Sequence, residues 1–124
     1  MLVVLTARLR SLGEIYAALY GFTLASMYQI RKEGAPRDFW NQRLRYQREP
    51  PGRDDWQTWQ ETVRLGTGDC EDLCIGLTAT LWAAGEKKAR AFPKKIRPGL
   101  IHILVRRADG SIVDPSKALG MAPP

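Results

Sequence analysis

Apolar residues recur at intervals of three and four over Leu2, Leu5, Leu9, Leu12, Ile15, Tyr16, Leu19 and Tyr20. This is the helical period, and it predicts one long or two shorter helices over residues 2–30, with breaks at Gly13 and Gly21. From Arg31 to Arg53 the pattern fails: charges and Pro36, Pro50 and Pro51 dominate, with Phe39, Trp40, Leu44 and Tyr46 as scattered apolar anchors. A short helix near 37–47 and then a loop are expected there. A further short helix should hold Trp56, Trp59 and Val63, capped by Asp54 or Asp55 and ended by Gly66-Thr67-Gly68.

The strongest helical signal runs from Cys70 to Ala84, with Leu73, Leu77, Leu81 and Ala84 as its apolar stripe and Gly85 after it. Asp69 and Asp72 are spaced as a capping box that uses Asp for the usual Glu. Cys70 falls on the stripe, so its sulfur faces whatever the helix packs on. Leu100 to Val105 reads as a strand, and Ile112-Val113 after Asp109-Gly110 as its hairpin partner. The basic run Lys87, Lys88, Arg90, Lys94, Lys95 and Arg97, interrupted by Pro93, reads as a solvated link between helix and hairpin. The elements predict an α+β fold.

At 124 residues the chain fits a single domain, residues 1–124, with a helical N-terminal part over 1–53 and the remaining core over 54–118. The hydrophobic share of 44% and the charged share of 26% exclude a disordered chain. The net charge of +6 is spread over both halves, so no polybasic tail stands out, and only Phe92 in the basic link offers a ring for base stacking. Nucleic acid is therefore not the expected partner. Residues 15–30 carry no charge but are short for a membrane span and diluted by Gly21, Thr23, Ser26 and Gln29; a buried helix is expected rather than a membrane contact. No signal-peptide cleavage pattern is recognisable, which favours a cytoplasmic protein.

Two cysteines four residues apart do not make a disulfide scaffold. Cys70, in the first turn of its helix, should have its thiol pKa lowered by the unpaired N–H groups there, and its own N–H could serve a developing oxyanion. A small buried residue at a helix start is the alternative. His102, the only histidine, interrupts an apolar strand on the one hairpin the helix can pack on, and a Cys–His pair is what activates a thiol nucleophile. Asp114 shares a sheet face with His102 only if the loop is Ala108-Asp109-Gly110 with Gly110 left-handed, which pairs Arg107 with Ser111 and Leu104 with Asp114. With a two-residue turn the faces differ, and Asp114-Pro115-Ser116 is merely the end of a strand. Asp69, Glu71 and Asp72 can cap the helix, support the site or offer oxygen to a hard cation such as calcium. A zinc site from Cys70, Cys74 and His102 lacks a fourth ligand.

The blocks Trp56-Gln57-Thr58-Trp59-Gln60-Glu61-Thr62 and Gly66-Thr67-Gly68-Asp69-Cys70-Glu71-Asp72-Leu73, then the His102 strand and the segment 109–116, occur in the order Cys, His, Asp. Together they resemble the transglutaminase-like superfamily, especially its bacterial cysteine proteinases. The short length and the ending from Arg97 to Lys117 also resemble small bacteriophage-encoded members. The resemblance implies a papain-like core with the nucleophile helix on a small antiparallel sheet. It implies Cys70 as nucleophile, His102 as base and acid, and Asp114 orienting it. The reaction would be a thioester-forming cysteine hydrolase or transglutaminase chemistry on a protein or peptide-like amide. It requires no cofactor, although relatives hold calcium at positions matching Asp69, Glu71 and Asp72. The alternative is a catalytically silent fold acting as a binding or assembly component, for example among phage structural proteins as a virion component. Cys74 stands where such helices usually carry Ala, and the oxyanion-hole side chain is not identified, with Trp56, Gln57 and Gln60 as candidates.

Overall fold

The computed structural model describes residues 4–6, 11–49 and 55–123. In chain order the elements are β1 (Val4–Thr6), α1 (Leu12–Lys32), β2 (Arg45–Tyr46), β3 (Asp55–Gln57), α2 (Trp59–Leu65), β4 (Thr67–Gly68), α3 (Cys70–Ala83), β5 (Arg90–Arg97), β6 (Leu100–Arg106), β7 (Ile112–Val113) and α4 (Pro115–Ala118). Mixed helix and strand make this an α+β arrangement, with three small sheets: β1–β3 antiparallel, β2–β4 parallel, and β5–β6–β7 antiparallel. Leu2, Leu9, Pro50, Pro51 and Asp54 lie outside the described residues.

The N-terminal part is not wholly helical. Val4–Thr6 is a strand, and α1 runs unbroken through both glycines expected to divide it. Ser11 starts it, its Oγ accepting the Glu14 N–H at 3.1 Å, while Glu14 in the first turn and Arg31 and Lys32 in the last oppose the helix dipole favourably. Each glycine costs about 1 kcal/mol of helix propensity, and burying Ile15, Leu19, Met27 and Ile30 on one face outweighs that. No helix forms near 37–47; that stretch holds turns and then β2.

The polar residues that dilute residues 15–30 have a structural use. Ser26 Oγ accepts the Trp59 N–H at 2.9 Å, and Gln29 Oε1 accepts the Gln60 N–H at 3.0 Å while its Nε2 donates to Thr58 Oγ1 at 2.9 Å. Thr58, the N-cap of α2, makes no side-chain cap bond of its own, so α1 supplies the partners that the first α2 amides need. No described helix is long and apolar enough to cross a membrane. Gln29→Leu removes both hydrogen bonds and should cost about 1–3 kcal/mol of stability, read from the midpoint of urea unfolding.

α3 lies at the centre, touching α1, α2, α4 and β3 to β6, and Leu73, Cys74, Ile75 and Ala79 are wholly buried. Its burial extends well beyond the single stripe its leucines mark, because α1 and α2 cover faces that the hairpin does not. Of the basic segment read as a solvated link, Lys87 and Lys88 lie in an exposed turn, whereas Arg90–Arg97 is β5. It pairs with β6 in the register Ala91↔Val105, Pro93↔Ile103 and Lys94↔His102. As an edge strand it tolerates proline and turns its lysines to solvent. The turn is Pro98-Gly99, with Gly99 at φ +78°; proline followed by a left-handed glycine is the composition of a type II turn.

Candidate thiol site

Cys70 occupies the first helical position of α3, and the expected capping box is formed. Asp69 Oδ1 accepts the Asp72 N–H at 3.3 Å, and Asp72 Oδ2 accepts the Asp69 N–H at 3.3 Å. Asp72 Oδ1 also accepts the Gln57 N–H at 2.9 Å, which ties β3 to the same helix end. Cys70 is partly exposed and Cys74 is buried, both as free thiols. The Cys70 thiol donates to Glu71 Oε2 at 3.3 Å.

On the hairpin, Val105 pairs with Val113 and Arg106 with Ile112, Arg107 N donates to Ser111 O at 2.8 Å, and Gly110 has φ +89°. This register continues to Leu104 opposite Asp114 and brings His102 and Asp114 to one face. His102 Nε2 lies 2.9 Å from Asp114 Oδ2, with the two side chains 15% and 26% exposed. Asp114 Oδ1 accepts the Lys117 N–H at 3.1 Å, so one carboxylate both caps α4 and orients the imidazole. A neutral imidazole bound this way carries its proton on Nε2, which leaves Nδ1 as the basic nitrogen. One step further along the register, Pro115 falls opposite Ile103 and has no N–H for the ladder. The Cys74 thiol donates to Ile103 O at 3.3 Å and takes that place, drawing α3 against the edge of β6.

No protein-family model, curated protein or solved structure matches the chain. The site is therefore read from its own geometry. Among the described residues, His102 and Asp114 are hydrogen-bonded to each other and neither is hydrogen-bonded to Cys70.

The electrostatics at the start of α3 run against the expected thiolate. Burial, then Glu71 and Asp69, push the Cys70 thiol well above its ordinary pKa. At neutral pH the resting group is a thiol. The acids are raised too. Burial and then Asp72 push Asp69 up to about 9; burial, partly countered by the hydrogen bonds it accepts, brings Asp72 to about 7. Burial, then Asp69, holds Glu71 well above the usual carboxylate range.

Tyr46 belongs to this neighbourhood although the apolar pattern marks it only as an anchor. Its pKa is raised by burial, then by Cys70 and Asp69, and β2 sets it opposite Gly68, two residues before the cysteine. A strand of two residues leaves no periodicity from which that placement can be read. Of the oxyanion candidates, Trp56 is buried in the core and Gln57 Oε1 accepts the Thr62 hydroxyl at 3.1 Å.

The carboxylates that converge are Glu49, Asp69 and Asp72, each with an oxygen within 4.8 Å of the others. Glu71 is not one of the three; it accepts from the Cys70 thiol and shares a hydrogen bond with Asp69, and Cys70, Cys74 and His102 form no comparable group among the described residues. The raised acids have a consequence for stability. The folded chain keeps protons on Asp69 and Asp72 that the unfolded chain releases near pH 4, so stability falls as pH rises through about 7 and about 9. Asp69→Asn keeps an N-cap of equal quality, and it should flatten the fall in Tm between pH 7 and 9, measured by thermal melting across that range.

Proposed function

We propose that the chain is a thiol acyl-transfer enzyme of the transglutaminase-like kind, on a papain-like core, acting as a cysteine peptidase or amidase on a protein or peptide-like amide. The observation that carries this reading is the 2.9 Å contact of His102 Nε2 with Asp114, on the hairpin against which the cysteine helix packs. That contact leaves Nδ1 free to accept a proton.

In the proposed reaction, substrate binding separates the Cys70 thiol from Glu71, and His102 Nδ1 takes its proton. The thiolate attacks the amide carbonyl carbon, and the Cys70 N–H, unpaired at the helix end, donates to the oxyanion. The C–N bond breaks as His102 returns the proton to the leaving amine, giving a thioester. Water, or an amine in transglutamination, attacks the thioester while His102 accepts its proton, and the thiol is released as His102 gives that proton back.

Calcium is part of the proposal. Three converging carboxylates are hard oxygen donors, and Glu49, Asp69 and Asp72 would hold the ion in place of the set containing Glu71. Added calcium should raise Tm more at pH 9 than at pH 5, because the cation competes with protons for those oxygens.

The second reading is a catalytically silent fold used for binding or assembly. The Cys70 to Glu71 hydrogen bond favours it, since that bond and the neighbouring carboxylates hold the thiol in its unreactive form. An activated ester separates the two. With p-nitrophenyl acetate, an enzyme releases a burst of nitrophenol equal to the protein and carries an acetyl group on the Cys70 peptide, slowed in His102→Ala. A silent fold is acetylated no faster than a free thiol, whatever stands at 102.

A further inference from the structure

At the other end of α3 from Cys70, a groove of about 570 Å³ opens between α1, the end of α3 and the start of β5. The structure assigns it as a docking site for an acidic amphipathic helix of a partner protein. Three features of the groove lead there: a half-exposed apolar stripe, a rim of one charge sign, and a concave shape.

The stripe is Leu12, Tyr16, Tyr20, Leu24 and Tyr28, every fourth residue of α1, each between 45% and 52% exposed. It extends over about 24 Å at the helical rise. Isolated exposed apolar residues are ordinary, but a row at this spacing winds by about 40° per step, and Tyr20, Leu24 and Tyr28, which line the groove, make the continuous patch of the kind that interaction surfaces show. Spacing of this sort matches the ridge of a second helix lying alongside. Where the stripe meets Trp82, the wall is stiff. Tyr20 and Trp82 are in edge contact at 5.6 Å, and the Arg90 guanidinium lies 5.2 Å from the Trp82 ring and 5.8 Å from that of Tyr20. Arg90 Nη1 also donates to Lys87 O at 2.6 Å and Ala89 O at 2.8 Å.

The rim is cationic. Arg31, Lys32, Lys87 and Arg90 line the groove, and no carboxylate is among its described lining residues. The complementary ligand is anionic. A second copy of this +6 chain would set cations against cations. A single-stranded nucleic acid needs a run of open ring faces, whereas of the three lining rings Tyr20 and Trp82 are engaged by each other and by Arg90, leaving Tyr28. A bilayer surface cannot enter a concavity. An acidic helix with apolar residues every fourth position satisfies stripe, rim and shape together.

The groove is about 18 Å from Cys70 by the helical rise between residues 70 and 82, so this site stands whether or not the thiol turns over. The test uses a labelled synthetic peptide of about five helical turns, with Leu at every fourth position and Glu on its outward faces, followed by fluorescence anisotropy. Binding should weaken at least tenfold in Arg31→Glu/Lys87→Glu and in Leu24→Ser/Tyr28→Ser, all exposed positions, with cooperative melting retained above the assay temperature. It should be unaltered in Cys70→Ala. Undiminished binding in both double variants overturns the site, as does equal binding of the Lys-for-Glu peptide. So does equally tight binding of an oligothymidine or of anionic phosphatidylserine vesicles through the same residues.

Discussion

His102→Ala is expected to lower acyl transfer by about 10³-fold or more, close to the loss in Cys70→Ala, because members of a catalytic constellation act as a unit. In the proposed reaction the imidazole is the base for a thiol whose pKa is pushed up by burial, then by Glu71 and Asp69. Asp114 refines the prediction. Asp114→Asn keeps an oxygen to accept from Nε2 and should lose far less activity than Asp114→Ala. The alanine variant also loses the cap on α4, so its unfolding should be easier by about 1 kcal/mol. Initial rates on an activated ester, with melting curves for each variant, check both statements. Equal rates in wild type and His102→Ala would remove the imidazole from the account.

Gly76→Ala should produce the largest loss of stability from a single added methyl. A Cβ at that position would lie 2.3 Å from Trp59 Cε3 and 2.7 Å from Cζ3, well inside contact distance. The ring has nowhere to go: Trp59 is fully buried, stacks on Phe39 at 5.4 Å, and donates from Nε1 to Pro36 O at 2.7 Å. Alanine gains about 1 kcal/mol of helix propensity over glycine, and overpacking of a tight core costs about 1–3 kcal/mol or more. With so little room to relax, a net loss of about 2 kcal/mol is expected, about 8 °C in Tm for a chain of this size. Trp59→Leu in the same background should cost less than it does alone, since the two changes share one space. A melting temperature unchanged by Gly76→Ala would show that α3 and α2 are not packed this closely.

Those two regions were unequally legible in the sequence. α3 and its capping box could be read directly, because the Asp69 and Asp72 spacing and the leucine period are local. So could the His102–Asp114 relation, since strand parity and one glycine decide which residues share a face. β5 escaped because lysines and Pro93 mask an edge strand, although Pro98-Gly99 was a turn signal in plain view. α1 was misjudged at its start, where the helical period of Leu2, Leu5 and Leu9 gives way to a strand at Val4–Thr6 that pairs with distant β3. The convergence of Glu49 on Asp69 and Asp72, and of Tyr46 on Cys70, depends on loops that bring remote residues together. The sign of the Cys70 shift was hidden for the same kind of reason. The helix dipole is visible in one dimension, whereas burial and a carboxylate turned onto the sulfur are not.

The central claim is that His102 serves Cys70, and the rate of Cys70 alkylation by iodoacetamide between about pH 5 and 10 tests it most directly. The account predicts a wild type that reacts at neutral pH, because His102 takes the proton once the reagent displaces Glu71 from the sulfur, and a His102→Ala variant that reacts only under alkaline conditions, where the thiol ionises unaided. Superimposable profiles would contradict it.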